Sequence, residues 1–455
     1  MTILHYALGF PPYRTGGLTK FCMDLMVQQA RDGHRVALLW PGRMGFVSHA
    51  VSLRRRTVTV EGCTVESLEV VNPLPVSYDE GIRDFAAFTA DGGRAAYDRL
   101  LDFLRPEVLH VHTLMGLHAA LLDAAKARGI RLVFTAHDFF PLCPKVTLFH
   151  HGALCTGAAA CADCGVCNAT ALSLNKIRIL QSPLYRLVKD SPPVRALRRH
   201  HRDAYLGETT EPAADAAVGT PADFAALRSY YGGLLGRMDL IHYNSTVTRR
   251  VYTSLFSLPQ GCCLPVTHSD IRDHRRIKTF SSSCLRIRYL GPCSGAKGYF
   301  LLRDALDLLW QKRQDFRLDV PFTPAESRPY LHPHGRYRYD DLEAIFAETD
   351  LLVAPSVWYE TFGFTVPEAL SYGVPVLLSA TVGAQDILVP GAGRIVPANT
   401  PEAWCDALAA LSARDLAEMN RVIVARQPVL QLPELSEESQ LENGEHVSLS
   451  CKEDL

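Results

Sequence analysis

The sequence predicts an α/β protein of two domains, each built on a parallel sheet with helices on its faces. Three observations predict it. The chain has 455 residues, too many for one ordinary core and enough for two domains of roughly 200 residues each. Short β-prone apolar runs, such as Asp350-Leu351-Leu352-Val353-Ala354-Pro355-Ser356, alternate with stretches of helical periodicity, the pattern of strands buried on both faces. Glycine-bearing turns follow several of these runs, at the carboxyl ends of strands where open α/β sheets bind ligands beside helix N-termini.

Composition narrows the function classes. Net charge is −1 and 47% of residues are hydrophobic, which argues against a nucleic-acid-binding or wholly disordered chain. No apolar run approaches the roughly 20 residues needed to span a bilayer, and the N-terminus lacks a signal-peptide pattern. A cytoplasmic protein is expected, with peripheral contact at the inner membrane face left open. Thirteen cysteines in that compartment point to metal or redox chemistry wherever they cluster.

In order along the chain, residues 3–8 form a first strand and Gly16-Gly17 open a helix that places Leu18, Phe21, Cys22 and Leu25 on one face. Paired glycines at such a turn let the backbone approach a phosphate, or serve packing alone. Residues 35–40 are a second strand. Residues 107–112 are another, with His110 and His112 alternating onto one face, as metal ligands or as core and cleft-wall histidines. Residues 130–136 lead to His137-Asp138 on the expected ligand side, where Asp138 orients the imidazole or caps the loop.

Cys143, Cys155, Cys161, Cys164 and Cys167 fall within 25 residues of one another. Four of the five could close a structural zinc site, since a Cys-x2-Cys turn presents two thiolates to one ion. Reduced buried thiols, a redox pair and an iron–sulfur cluster are the alternatives. Residues 175–202 interleave basic and apolar side chains, fit for an anionic membrane surface or for a solvated helix face.

The first domain is expected to end at residue 257 and a linker to run over 258–283. In the second domain, 284–426, the strand at 285–291 ends at Gly291, and Lys297 starts a helix where charge and helix dipole act together on a diphosphate. Residues 427–455 are acidic and Ser-rich and are expected to be disordered.

The stretch that organises the rest is Trp358-Tyr359-Glu360-Thr361-Phe362-Gly363-Phe364-Thr365-Val366-Pro367-Glu368. Glu360-x7-Glu368, the Gly363-Phe364 pair and the following Gly373-Val374-Pro375-Val376 together resemble the donor-site motif of retaining glycosyltransferases of the GT-B fold, family 4 type. The resemblance runs in order to about residue 425. It implies two Rossmann-like domains facing a central cleft, and transfer of a sugar from a UDP- or GDP-sugar to a sugar or lipid-linked acceptor with retained configuration. It also implies no catalytic cofactor and no nucleic-acid partner, and the chain has no Asp-x-Asp metal motif.

The same resemblance assigns roles. The Gly16-Gly17 loop covers the donor diphosphate, Gly291 and Lys297 hold it, and His137 contacts the sugar. Glu360 contacts the sugar or its phosphate, with Phe362, Gly363 and Phe364 alongside. Glu368 accepts from the ribose hydroxyls, and the loop with Arg336 and Tyr337 meets the base. The family pattern has an arginine where this chain has Pro292, so another arginine such as Arg14 would supply that charge. A non-catalytic partner subunit and a nucleotide-sugar epimerase on the same fold are the alternatives.

Overall fold

The computed structural model describes the residues up to 431 except 12–13, 15, 78, 151, 197–216, 260 and 282. The end of the basic segment, 197–202, and the tail from 432 lie outside the described residues. The N-terminal half contains β1 (Thr2–Tyr6), β2 (Arg35–Pro41), β3 (Ser52–Val60), β4 (Cys63–Val71), β5 (Val108–Val111), β6 (Arg131–Ala136), β7 (Phe149–His150), β8 (Ala153–Leu154), β9 (Leu240–Tyr243) and β10 (Gly261–Cys263). Eight of them form one sheet in the order β10-β9-β6-β5-β1-β2-β4-β3. It is parallel except for the β3–β4 hairpin, whose two turn residues, Glu61 and Gly62, both have positive φ (48° and 80°), as a tight hairpin turn requires. Its central strands are buried on both faces, which is why Ile3, Leu4, Leu38, Leu39, Leu109 and Leu132 read as unbroken apolar runs.

The second sheet contains β11 (Leu285–Arg288), β12 (Phe316–Val320), β13 (Leu331–Pro333), β14 (Leu351–Ala354), β15 (Val376–Ser379) and β16 (Gly393–Val396). Its order is β13-β12-β11-β14-β15-β16, and every pairing is parallel. The order reverses between β11 and β14, so the helices leave to opposite faces there and open a crevice at the strand ends.

The two sheets are joined by a shared core. Phe21 and Leu25, from the helix Gly17–Arg31, pack with Val266, Phe362 and Val366. The expected linker is therefore shorter than the sequence indicates. Residues 261–263 pair with β9 as the edge strand of the first sheet, and Leu264, Val266 and His268 are buried. The boundary of the tail also shifts. Gln427 is buried, its amide donating to Ile387 O (2.8 Å) and accepting from Val389 N (3.1 Å), so the chain stays packed through the first residues expected to be disordered. The helix Ala413–Arg426 lies against the inter-domain segment, where Asn420 Nδ2 donates to Arg276 O (3.0 Å) and Gly373 O (2.7 Å).

Candidate donor site in the cleft

A cavity of about 410 Å³ opens where β11 and β14 end, lined by Gly291, Pro292, Lys297, Ser356, Glu360 and Glu368 among others. Local geometry puts each there for a reason. Gly298 precedes the helix Tyr299–Trp310 at φ 78°, and a Cβ on it would lie 1.8 Å from Pro355 O. Only glycine lets the Lys297 turn press against the end of β14. Glu360 is held by main-chain bonds on both sides, its N–H to Thr381 O (3.0 Å) and its carbonyl accepting from Gly383 N (3.0 Å).

The Glu360 carboxylate is crowded with donors. Its Oε2 accepts from Lys297 Nζ, from Trp358 Nε1 at 3.2 Å and from Ser356 Oγ at 3.5 Å. Lys297 Nζ also lies 5.0 Å from the Trp358 ring centroid. Glu368, in the helix Thr365–Ser371, is only 4% exposed and takes His268 Nε2 at 3.1 Å. A buried carboxylate with a single ring partner keeps acceptor positions for a further donor.

Several sequence-based assignments change. Phe362 is buried in the inter-domain core rather than facing the cavity, whereas Gly363 and Phe364 line it. The register explains this: Gly363 turns the chain at φ 99°, and the two rings flanking it point to different places. Tyr337 lines the cavity, but Arg336 lines a separate groove on the first domain, with Arg14. Arg338, by contrast, lines the cavity together with Pro292 and Lys297. Gly16, at φ 114°, and Gly17 lie outside its lining; a Cβ on Gly17 would sit 2.9 Å from the Phe364 ring. They bring the first helix against the donor loop.

His137 is likewise absent from the cavity lining but tied to the donor loop, its carbonyl accepting from Thr361 Oγ1 at 3.0 Å. Behind it runs a row of imidazoles. His137 Nε2 is 3.3 Å from His112 Nδ1, His112 Nε2 is 3.0 Å from His5 Nδ1, and His5 Nε2 is 2.8 Å from Gln29 Oε1. With Gln29 Oε1 as the terminal acceptor, each neutral ring donates through Nε2, which leaves a lone pair on His137 Nδ1. Burial holds His112 and His137 well below the usual histidine value, and neighbouring imidazoles push the same way. His5, Cys22 and His112 bring three ligand-type atoms within 4.8 Å. Two of the three, His5 and His112, are joined directly by the 3.0 Å ring-to-ring hydrogen bond.

Asp138 caps its loop. Oδ1 accepts from Phe140 N (2.9 Å) and Oδ2 from Thr113 Oγ1 (3.4 Å), and burial pushes its carboxyl up to about 6. The cysteine segment folds as the hairpin β7–β8 followed by the short helix Cys164–Cys167. Burial raises the thiol pKa values of Cys155, Cys164 and Cys167, and Cys143 lies close enough to push all three the same way, as Cys161 does for Cys164, while Cys161 Sγ donates to Ala158 O (3.7 Å). No three of the five sulfurs reach the ligand distance met by the His5 group, among the described residues.

Sequence reasoning missed His268, Arg338, Ser356 and Trp358. His268 sits in a stretch without periodicity, where nothing in the sequence marks it as the partner of Glu368. Trp358, two residues before Glu360, was the available signal.

Comparison with known proteins agrees with this geometry. The family model for Glycosyltransferase Family 4 matches residues 15–160, and that for Glycosyl transferases group 1 matches residues 286–414. A D-inositol 3-phosphate glycosyltransferase from Corynebacterium glutamicum (strain R) is 30% identical over 145 residues, 28% of this chain and 34% of that protein. The match therefore spans about a third of the relative's length. Sucrose-phosphate synthase from Thermosynechococcus elongatus superposes with a TM-score of 0.58 at 14% identity, covering 97% of this chain and 98% of the other. HepE of Anabaena, solved with UDP and glucose, gives a TM-score of 0.51 at 13% identity over 96% and 99% of the two chains. With both halves matched in order and both sheets in place, the chain belongs to the GT-B glycosyltransferases of the family 4, group 1 type.

Proposed function

We propose that the chain transfers a sugar from a nucleotide-sugar donor to an acceptor hydroxyl with retention of anomeric configuration. The observation that carries this reading is the convergence of Lys297, Glu360 and Glu368 on one cavity at the switch point of the second sheet. The acceptor oxygen bonds to the anomeric carbon as the carbon–oxygen bond to the diphosphate breaks, and the hydroxyl proton leaves with the nucleoside diphosphate. The enzyme's main task is to stabilise charge on that leaving group. Lys297, aided by Arg338 and the helix dipole behind Gly298, supplies the positive field. In the free protein Lys297 is paired with Glu360. A diphosphate competing for Lys297 would release the Glu360 carboxylate to the sugar hydroxyls. Glu368 accepts from the ribose. These charges belong to side chains, so transfer is expected to persist in EDTA.

A thermal-shift panel of UDP, GDP, ADP, dTDP and their sugar conjugates tests this. A nucleotide at 100 times its Kd stabilises the fold by about 2.7 kcal/mol. One nucleotide family should raise the Tm of the wild type and not of Glu368→Ala. No shift with any of them would leave a non-catalytic GT-B partner subunit, for which Pro292 in place of the family arginine is the supporting observation. The anomeric coupling of the product, read by proton NMR, decides retention.

The thiol set of Cys143, Cys155, Cys164 and Cys167 fits a structural zinc chemically: four soft donors, two flanking the hairpin and two from a Cys-x2-Cys turn. Binding would deprotonate thiols that burial and mutual repulsion now keep protonated, Cys164 and Cys167 being pushed up to about 12. Metal analysis of the purified protein should find about one zinc per chain, absent from Cys164→Ser/Cys167→Ser. A zinc-free protein of unchanged stability would leave these as plain buried thiols.

A further inference from the structure

The first domain carries a groove of about 1210 Å³ that the donor chemistry does not use. Among the described residues, nine arginines and lysines line it against four carboxylates. They come from unrelated parts of the chain: Arg14 from the glycine loop, Arg43 after β2, Arg54 and Arg56 on one face of β3, Arg186 from the helix Pro183–Val188, and Arg336 from the second domain.

By number, the cations of the lining exceed its carboxylates. Arg54 lies opposite Glu69 in the β3–β4 register, and that same carboxylate is 3.8 Å from Arg43 and 3.6 Å from Arg186. Three cations thus gather around this carboxylate. Arg43 Nε is shielded from solvent with no hydrogen-bond partner, and the Arg186 guanidinium lies 4.9 Å over the Trp40 ring. Like charges gathered from distant segments repel one another, and the arrangement becomes favourable when an anion enters. Arginine forks suit the tetrahedral oxygens of a phosphate. The groove also meets the donor cavity, since Arg336 lines the one and its neighbour Tyr337 the other.

We propose that this groove binds the acceptor through a phosphate group, so that the substrate is a phosphate-bearing sugar or polyol, or a glycan on a lipid phosphate. This rests on the transferase reading and names the acceptor class for it. Two sources share the chemistry. The rim exposes Leu187 (82%) and Ile179 (53%), with Leu184 (70%) on the same helix as Leu187, which suits a lipid-borne phosphate, whereas a free phosphorylated metabolite needs only the arginines.

The test uses the full chain, with Arg54→Ser/Arg56→Ser as the variant because both side chains are exposed on an edge strand and their loss does not open the core. Glucose 6-phosphate and inorganic phosphate, but not glucose, should bind the wild type and Lys297→Ala alike. Their affinity should fall about tenfold or more in the double arginine variant and weaken with added salt. Vesicles of phosphatidylglycerol in phosphatidylcholine, against phosphatidylcholine alone, separate the sources. Arginine-dependent pelleting assigns the phosphate to a lipid, and binding of glucose 6-phosphate without pelleting assigns it to a soluble acceptor. The proposal is overturned if none of these probes binds, if binding persists in the arginine variant, or if it is lost in Lys297→Ala, which would place the anion in the donor cavity. Phosphate binding without any nucleotide response would instead remove the transferase reading and leave the groove standing.

Discussion

Buried imidazoles give the residue scale a measurable consequence. His112 and His137 are held well below 6.5, and burial takes His118 down to about 4, where it is bonded to Tyr97 Oη at 2.7 Å. A histidine with a depressed folded pKa contributes stability that is present above about 6.5 and is lost as pH falls towards its folded value. Each one removes about 1.4 kcal/mol per pH unit over that interval. Asp138 acts in the opposite sense, because its carboxyl is raised to about 6, and its contribution is lost as pH rises. Three histidines outweigh one carboxyl, so the Tm should fall steadily from pH 6.5 to 5. A flat profile would show that these imidazoles take up protons over the same pH range folded and unfolded. Glu360 and Glu368 were legible in the sequence because their spacing and the Gly363-Phe364 pair are local. His268 was not, since its role depends on a contact 100 residues away.

The turn at Gly298 is the element on which the donor site depends. Gly298→Ala meets both a positive φ of 78° and a contact of 1.8 Å with Pro355 O. Backbone must move, and a cost of about 1–3 kcal/mol or more is expected, seen as a lower urea midpoint together with loss of the nucleotide response. Equal stability to the wild type would mean that the turn is not held against β14. Strands buried on both faces were visible from their apolar runs. The edge strand Gly261–Cys263 was hidden because three residues of Gly-Cys-Cys carry no period, and it is a strand only because β9 offers it a free edge.

At the scale of the whole molecule, polar contacts at Thr361 and Asp386 help set how the domains meet. Asp386 of the second domain accepts from Thr246 N (2.5 Å) and Thr246 Oγ1 (2.6 Å) at the start of the helix Thr246–Leu255. Ser245 Oγ donates to Thr361 O at 2.6 Å. A carboxylate at a helix N-terminus is favoured by the dipole, so Asp386→Ala should cost about 0.5–2 kcal/mol and speed proteolysis between the domains. Unchanged proteolysis would assign the closure to the apolar core of Phe21, Val266 and Phe362 instead.

By itself the sequence determined the two parallel sheets, the turn that presents Lys297 and the pair of glutamates, since apolar period, glycine placement and short motifs act over a few residues. Only the tertiary structure decided that Phe362 packs inward while Phe364 faces the cavity, that Arg338 rather than Arg14 lines the cavity with Pro292, and that arginines from four segments of the first domain converge with Arg336 on one groove. Those are contacts between distant segments. Their energies arise from which surfaces the packed domains bring together, and no local pattern encodes that.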